Sequence, residues 1–541
     1  MKNEISNILS LINSGDFLKA LQEAKSFYNR NENNIDAVKV LAYTYIQIGN
    51  FERVIEVLKR GYSKRNDQMD FDYFNNMGYA LSQIEEFDES IIYLKKASEL
   101  NNSPSANICL AEVFLKQRKF KESKEEILIA LDKIKKIGVE SFSKFANVFL
   151  LISEINGALK QDEETIELFI QILKERFNEN IFFLLCNISP GYIEKEIINK
   201  AESYLLINEN SFKNKIERFN YVTPLYFGLA MYYQSKDKEK SEAFFDNGNK
   251  EIFKSTRYNS HQYQERIVKT MDLYLKKYKS FDEGNRDHGE KNFFIVGSPR
   301  SGTTLIESIV TANDKVFSGG ELKSGKDIIE KNVLSKEQSL SDLNHRFISK
   351  YLRRTSYLRD GHDYIVDKMP ENFLYLGIIQ KLLPKSKIIR VFRNPWDTAI
   401  SLYKQRYVIN VPYSVSFFNI GVFLANFEAI NLFWDKHISV KKNILDLKYE
   451  DLVSDYSSNQ NIIYEFLEVD VKYDDKKRKE FFSPTASIRQ VKEGIHQRSV
   501  EKKEFHHHKA EFVDAILMQR EYWAKKNISP KKDKFLGYTL D

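Results

Sequence analysis

The stretch "NFFIVGSPRSGTTLIESIV", Asn292 to Val310, decides how the second half of this chain is read. An apolar run ends at Gly297, a short polar loop follows, and an apolar helical pattern resumes at Leu305. Strand, glycine-bearing loop and helix in that order place successive backbone N–H groups around an anion. Gly297, Gly302 and Thr304 fit the frame G-x-x-x-x-G-K-[ST] of nucleotide triphosphatases, but Thr303 stands where the lysine belongs. The N–H groups of Ser301, Gly302, Thr303 and Thr304 would meet a bound phosphate at the helix N-terminus. Arg300 adds a guanidinium fork, and the two threonine hydroxyls add donors.

Outward from this loop, short β-branched and aromatic runs alternate with helical ones, the pattern of a parallel sheet with crossover helices. "NFFIVG", "DYIVDK", "SKIIRVFR" and "NILDLKY" are the strand candidates. Polar groups at the carboxyl ends of such strands line a ligand crevice, and three of these strands end in the Pro299–Thr304 loop, Lys368 and Arg393. Asn394-Pro395 stops the third strand, and Asp397 opens the helix that contains Ser401.

"GSPRSGTTL" is similar to the 5′-phosphosulfate loop of sulfotransferases, enzymes that use 3′-phosphoadenosine 5′-phosphosulfate (PAPS). "IIRVFRNPWDTAISLY" resembles their 3′-phosphate site, with Arg393 and Ser401 at the two gripping positions. The absent lysine is the one that touches β- and γ-phosphates, and PAPS has neither. The resemblance places Glu321, in "SGGEL", at the general base of the tyrosylprotein type, and Lys368 beside the transferring sulfuryl group. It puts Tyr449, in "LKYEDLV", near the nucleotide. It makes Ser487 the transition-state serine and Lys502 the late cationic residue of the closing segment "PTASIRQVKEGIHQRSVEKK". Two positions depart from the pattern. Lys503 replaces a tryptophan after Lys502, and Gln405, with Arg406 one step on, stands where the tyrosylprotein enzymes have arginine. His362 is the rival base, because many small-molecule sulfotransferases use histidine.

The first half has a period. "SGDFLKAL", "IGNFERVI", "IEEFDESI" and "QRKFKESK" place Phe17, Phe51, Phe87 and Phe120 at spacings of 34, 36 and 33 residues. Ten residues before the last three lie Leu41-Ala42, Met77-Gly78 and Leu110-Ala111, and small residues follow at Ala20, Ser90, Ser123, Ala97 and Ala130. Small residues let paired helices approach closely while the aromatic fills the turn. This resembles the tetratricopeptide repeat, which stacks helix pairs into a superhelix with a concave groove. Weaker units are expected around Ala158 to Phe169 and at Gly228 to Phe244, with undeclared helices over 175–220. Such a groove takes a protein partner or serves packing alone. The polar, glycine-bearing Gly284–Glu290 marks the boundary, giving a tetratricopeptide domain over 1–285 and a sulfotransferase domain over 290–541. The fold class expected is therefore α followed by α/β, an all-helical superhelix and then a P-loop-like domain with a parallel sheet.

The 541 residues call for several domains, and a formal charge of +6 from 82 basic and 76 acidic residues argues for neither nucleic acid nor a membrane surface. Cys109 and Cys186 are too few for a disulfide framework and read as small hydrophobes. No run is long and apolar enough for a membrane span or secretory signal, so the expected compartment is the cytoplasm. No metal is expected. The run His506–His508 invites one, but consecutive residues splay in regular structure. The expected function is PAPS-dependent sulfuryl transfer to a peptide, carbohydrate or small-molecule hydroxyl. The alternatives are a kinase, disfavoured by Thr303 and by the want of an apolar strand ending in a magnesium-binding aspartate, and an interaction scaffold with an inactive transferase half.

Overall fold

The computed structural model describes residues 2–63, 69–138, 145, 147–207, 211–212, 214–255, 258–280, 288–334, 344–345, 347–359, 361–407, 411–438, 441–470, 475–481, 504–530 and 534–539. Two compact units divide the chain, Met1–Leu168 and Phe169–Asp541.

Within the first unit, helices pair in sequence order: Lys2–Asn13 with Phe17–Arg30, Ile35–Ile48 with Phe51–Tyr62, Phe71–Gln83 with Phe87–Leu100, and Ser105–Lys116 with Phe120–Ile137. Each periodic phenylalanine is the first residue of the second helix of its pair. Asp16, Asn50 and Asp70 accept backbone N–H groups as N-caps, and Gly49 ends a helix in the left-handed region at φ 78°. The small residues act as the spacing predicts. A Cβ on Gly78 would lie 2.6 Å from Leu94, so the pair closes only over glycine. Ser90 Oγ donates to Gly78 O at 2.7 Å, and Ser123 Oγ to Ala111 O at 2.6 Å. The aromatics are less uniform than expected, since Phe87 is 4% exposed and Phe17 is 41% exposed.

The second unit joins further helices to the sheet. Helices Lys215–Tyr233 and Lys238–Ser255 repeat the pair geometry, with Ser241 Oγ donating to Ala230 O at 2.7 Å. Asn249 Nδ2 donates to Tyr403 O at 2.9 Å, and Tyr274 packs edge-on against Trp434 at 5.1 Å. Compactness thus groups the helices from Phe169 to Tyr278 with the sheet, and the division between units falls at Leu168 and Phe169.

Five parallel strands form that sheet: β1 (Asn292–Gly297), β2 (Val316–Ser318), β3 (Tyr364–Asp367), β4 (Lys387–Phe392) and β5 (Ile444–Lys448). Their order is β2-β3-β1-β4-β5. Four match the expected runs, and β2, three residues long, is too short to show a period. Opposite each other on β4 and β5, Arg390 grips Asp446 with two bonds of 2.6 Å. Behind the sheet, Phe417–His437 has the length and composition of a membrane span, but 83% of its apolar window is buried in the protein. Its Glu428 is paired with Arg520, from helix Lys509–Ala524, at 2.6 and 2.7 Å. Cys186 is buried and Cys109 partly so, both as free thiols.

Candidate active site

Because all five strands are parallel, their carboxyl ends share one edge, and each delivers one group to it. In spatial order β2 leads to Glu321, β3 to Lys368, β1 to the Arg300 loop, β4 to Arg393 and β5 to Tyr449. Four strand spacings of about 4.8 Å put the outermost of these strands about 19 Å apart. The chain leaves β1 toward β2 and leaves β4 toward β5, so the crevice expected at a topological switch point lies between β1 and β4.

That crevice is cationic. Arg300 sits at φ 69°, a left-handed conformation costly for a residue with a Cβ, and Gly302 at φ 104°. The turn aims the Arg300 side chain inward, where it is 5% exposed and its Nε donates to Ser401 Oγ at 3.0 Å. Arg393 Nη1 donates to Arg300 O at 2.9 Å, bridging β4 to the loop. Its guanidinium lies 4.5 Å from the centre of the Tyr449 ring. That ring also closes over Gly302, where a Cβ would approach it to 2.5 Å. Burial, with Arg393 alongside, lowers the Arg300 pKa, so the pocket disfavours its own cation until an anion enters. Ser301 Oγ is buried without a hydrogen-bond partner, a donor open to such an anion. Thr303 and Thr304 are buried at the helix start.

At the β2–β3 end, the Lys368 side chain is 1% exposed and donates to Glu321 Oε1 at 2.6 Å. Lys368 N bonds Gly320 O at 2.8 Å, and Gly319 N bonds Val366 O at 2.9 Å, which fixes the Gly-Gly-Glu turn against β3. Glu321 remains 44% exposed, so one carboxylate faces both a buried ammonium and solvent. Behind them Glu307, fully buried on the loop's helix, lies 3.9 Å from Lys368 Nζ and accepts Ser318 Oγ at 2.7 Å.

The structure gathers Arg300, Ser301, Gly302, Thr303, Thr304, Arg393, Ser401 and Tyr449 at one part of the edge, and Glu321 with Lys368 at the other. Ser487 and Lys502 lie outside the described residues. His362 falls at the opposite edge, before the start of β3, with Nδ1 2.8 Å from Arg359 O. Arg406 turns away, its Nε donating to Thr223 Oγ1 at 3.2 Å, and burial lowers its pKa to about 10. An aspartate, Asp367, closes β3. Its carboxylate is 2% exposed and accepts Tyr351 OH at 2.9 Å, an occupied and enclosed position. Tyr407 was missed. Burial raises its hydroxyl pKa, with the Arg300 charge opposing and that of Glu321 adding. Glu450 was missed too. It accepts Asn394 N at 2.9 Å and Tyr538 OH at 2.6 Å, supporting the turn after Arg393.

Residues 292–475 match the model of the sulfotransferase family, and residues 71–104 that of the tetratricopeptide repeat. Over those residues the chain is similar to the sulfotransferase family. An uncharacterized protein of Aquifex aeolicus (strain VF5) is 28% identical over 291 residues, 49% of this chain and 37% of that protein, so the match spans little more than a third of the relative. Among solved structures, the sulfotransferase domain of the Synechococcus PCC 7002 olefin synthase is 16% identical with a TM-score of 0.30, over 44% of this chain and 98% of its own. The sulfotransferase domain from the curacin biosynthetic pathway is 17% identical with a TM-score of 0.29, over 42% and 96%. The C-terminal part of a TPR repeat-containing protein from Cytophaga hutchinsonii is 12% identical with a TM-score of 0.31, over 45% and 93%.

Proposed function

We propose that the chain transfers a sulfuryl group from PAPS to a hydroxyl acceptor, with residues 290–541 doing the chemistry and the helices before 285 recruiting the acceptor or a protein partner. The supporting observation is the order along the sheet edge: a double-arginine phosphate site at β1–β4 and a lysine–glutamate pair on the adjoining β3 and β2. The 5′-phosphosulfate would rest on Ser301 to Thr304. The 3′-phosphate would take Arg393 and Ser401, with the Tyr449 ring beside the nucleotide.

The acceptor hydroxyl attacks sulfur as its proton passes to Glu321. The bond from sulfur to the bridging phosphate oxygen breaks, and Lys368 stabilises the charge left there. Adenosine 3′,5′-bisphosphate and a sulfate ester leave. Transfer of an SO3-like unit asks for positioning and charge stabilisation rather than covalent catalysis. The Lys368 ammonium, 2.6 Å from Glu321 Oε1, holds that carboxylate in place beside the bridging oxygen. The family resemblance assigns Ser487 to the same bridging oxygen and Lys502 to the nucleotide. A peptide tyrosine suits a glutamate base and a repeat array that presents proteins, and a sugar hydroxyl meets the same donors.

Calorimetry of adenosine 3′,5′-bisphosphate against ADP and ATP, without magnesium, tests the reading on wild type and Arg393→Ala. Preference for the bisphosphate in wild type, lost in the variant, is expected. Tighter ATP binding that magnesium improves would replace the sulfotransferase with a kinase.

A further inference from the structure

The run His506–His508 does not splay as its sequence predicts. Phe505, at φ 57°, turns the chain into a short 3-10 segment that leads into helix Lys509–Ala524. At that corner the rings of His507 and His508 lie 4.2 Å apart and share one target. His507 Nε2 is 3.2 Å from Asp246 Oδ2, and His508 Nε2 is 3.3 Å from Asp246 Oδ1. Asp246 comes from helix Lys238–Ser255, so two distant segments supply the three groups.

We propose that Asp246, His507 and His508 form a binding site for a divalent cation of the zinc class. Ligand bonds of about 2.0–2.1 Å around a tetrahedral ion put neighbouring donor atoms about 3.3 Å apart; here each imidazole nitrogen reaches a different Asp246 oxygen, and one ligand atom from each of the three residues lies within 4.8 Å of the others. The surroundings add a second, independent indication. A metal-binding histidine usually offers its other ring nitrogen to a carboxylate. Glu511 Oε2 is 3.5 Å from His508 Nδ1, and Glu242 Oε2 is 4.0 Å from His507 Nδ1. Phe417 stacks on the His508 ring at 4.9 Å and holds its plane, and Tyr403 OH donates to Asp246 Oδ1 at 2.9 Å. The His507 side chain is 56% exposed, which leaves a route for the ion and a position for water. Three carboxylates, Asp246, Glu242 and Glu511, around the two imidazoles attract a dication. Of the nearby lysines, Lys404 is held by Glu504 at 2.7 Å, and Lys238 lies 3.9 Å from Glu242. The nitrogen donors select zinc-like ions over magnesium.

The site is independent of the sulfotransferase reading, and its probe is the metal itself. The full chain, free of any affinity tag and stripped with a chelator, is titrated with Zn²⁺ and Mg²⁺ by calorimetry, and with Co²⁺ by visible absorption. One equivalent of Zn²⁺ should bind with sub-micromolar affinity, Co²⁺ should give a tetrahedral spectrum, and Mg²⁺ should not compete. His507→Ala, at an exposed position that folding tolerates, should weaken Zn²⁺ at least about tenfold, and Glu511→Gln about tenfold through His508. Absence of Zn²⁺ binding by the wild type, equal affinity in His507→Ala and His508→Ala, or equal competition by Mg²⁺ would each overturn the site.

Discussion

The two compact units bury polar groups in opposite ways. In Met1–Leu168 the recurrent buried polar contact is a serine hydroxyl on a backbone carbonyl twelve residues back, as Ser90 on Gly78 and Ser123 on Ala111. At the sheet edge the buried groups are mostly charged, and their partners are remote: 47 residues for Lys368 and Glu321, 101 for Arg300 and Ser401. Local, neutral contacts distribute stability evenly along a repeat array. Remote, charged contacts concentrate it, and they hold groups in place before any ligand arrives.

If this contrast is sound, substitutions at the edge should cost rate, and substitutions in the repeats should cost stability alone. The largest effect is expected at Lys368→Gln, where turnover with PAPS should fall about 10²–10³-fold in steady-state assays. Glu321→Ala should lower turnover at least about tenfold while leaving bisphosphate affinity in place. Collapse of nucleotide binding instead would make Glu321 structural. His362→Ala, on the far edge, should leave turnover unchanged. Gly78→Val, forced against Leu94, should destabilise by about 1–3 kcal/mol in chemical denaturation. Ser90→Ala, losing one hydrogen bond, should cost about 1 kcal/mol, and neither variant should alter kcat.

A pH dependence sharpens the comparison. Burial, with Glu112 nearby, raises the Glu154 carboxyl to about 7. The folded state therefore keeps a proton that the unfolded chain sheds near its ordinary value of 4.5, and stability from this group falls as pH rises between the two. Glu154→Gln should raise the melting temperature at pH 8 and leave it unchanged at pH 4. An equal effect at both would remove Glu154 from the account.

The sequence made the phosphate loop, four of five strands and the repeat period legible because each rests on local pattern: glycine spacing, β-branched runs and a 34-residue phase. What it hid is non-local. β2 carries Glu321 into place but has too few residues to declare itself. Glu307 reads as one more polar position on an amphipathic helix, and only the fold brings it behind Lys368. That Asp367, at the end of β3, turns to the Tyr351 hydroxyl is likewise set by the fold. The splay expected of His507 and His508 belongs to regular structure, and the left-handed Phe505 takes the chain out of it.

The Glu428–Arg520 pair sets an order of events during synthesis. Helix Phe417–His437 leaves the ribosome long before Arg520 is made, and until then it presents a nascent apolar segment with an uncompensated carboxylate in its middle. The repeats, closed by contacts a few tens of residues long, can consolidate as they emerge. The sheet unit must wait for helix Lys509–Ala524, so any chain released before that point exposes an aggregation-prone surface.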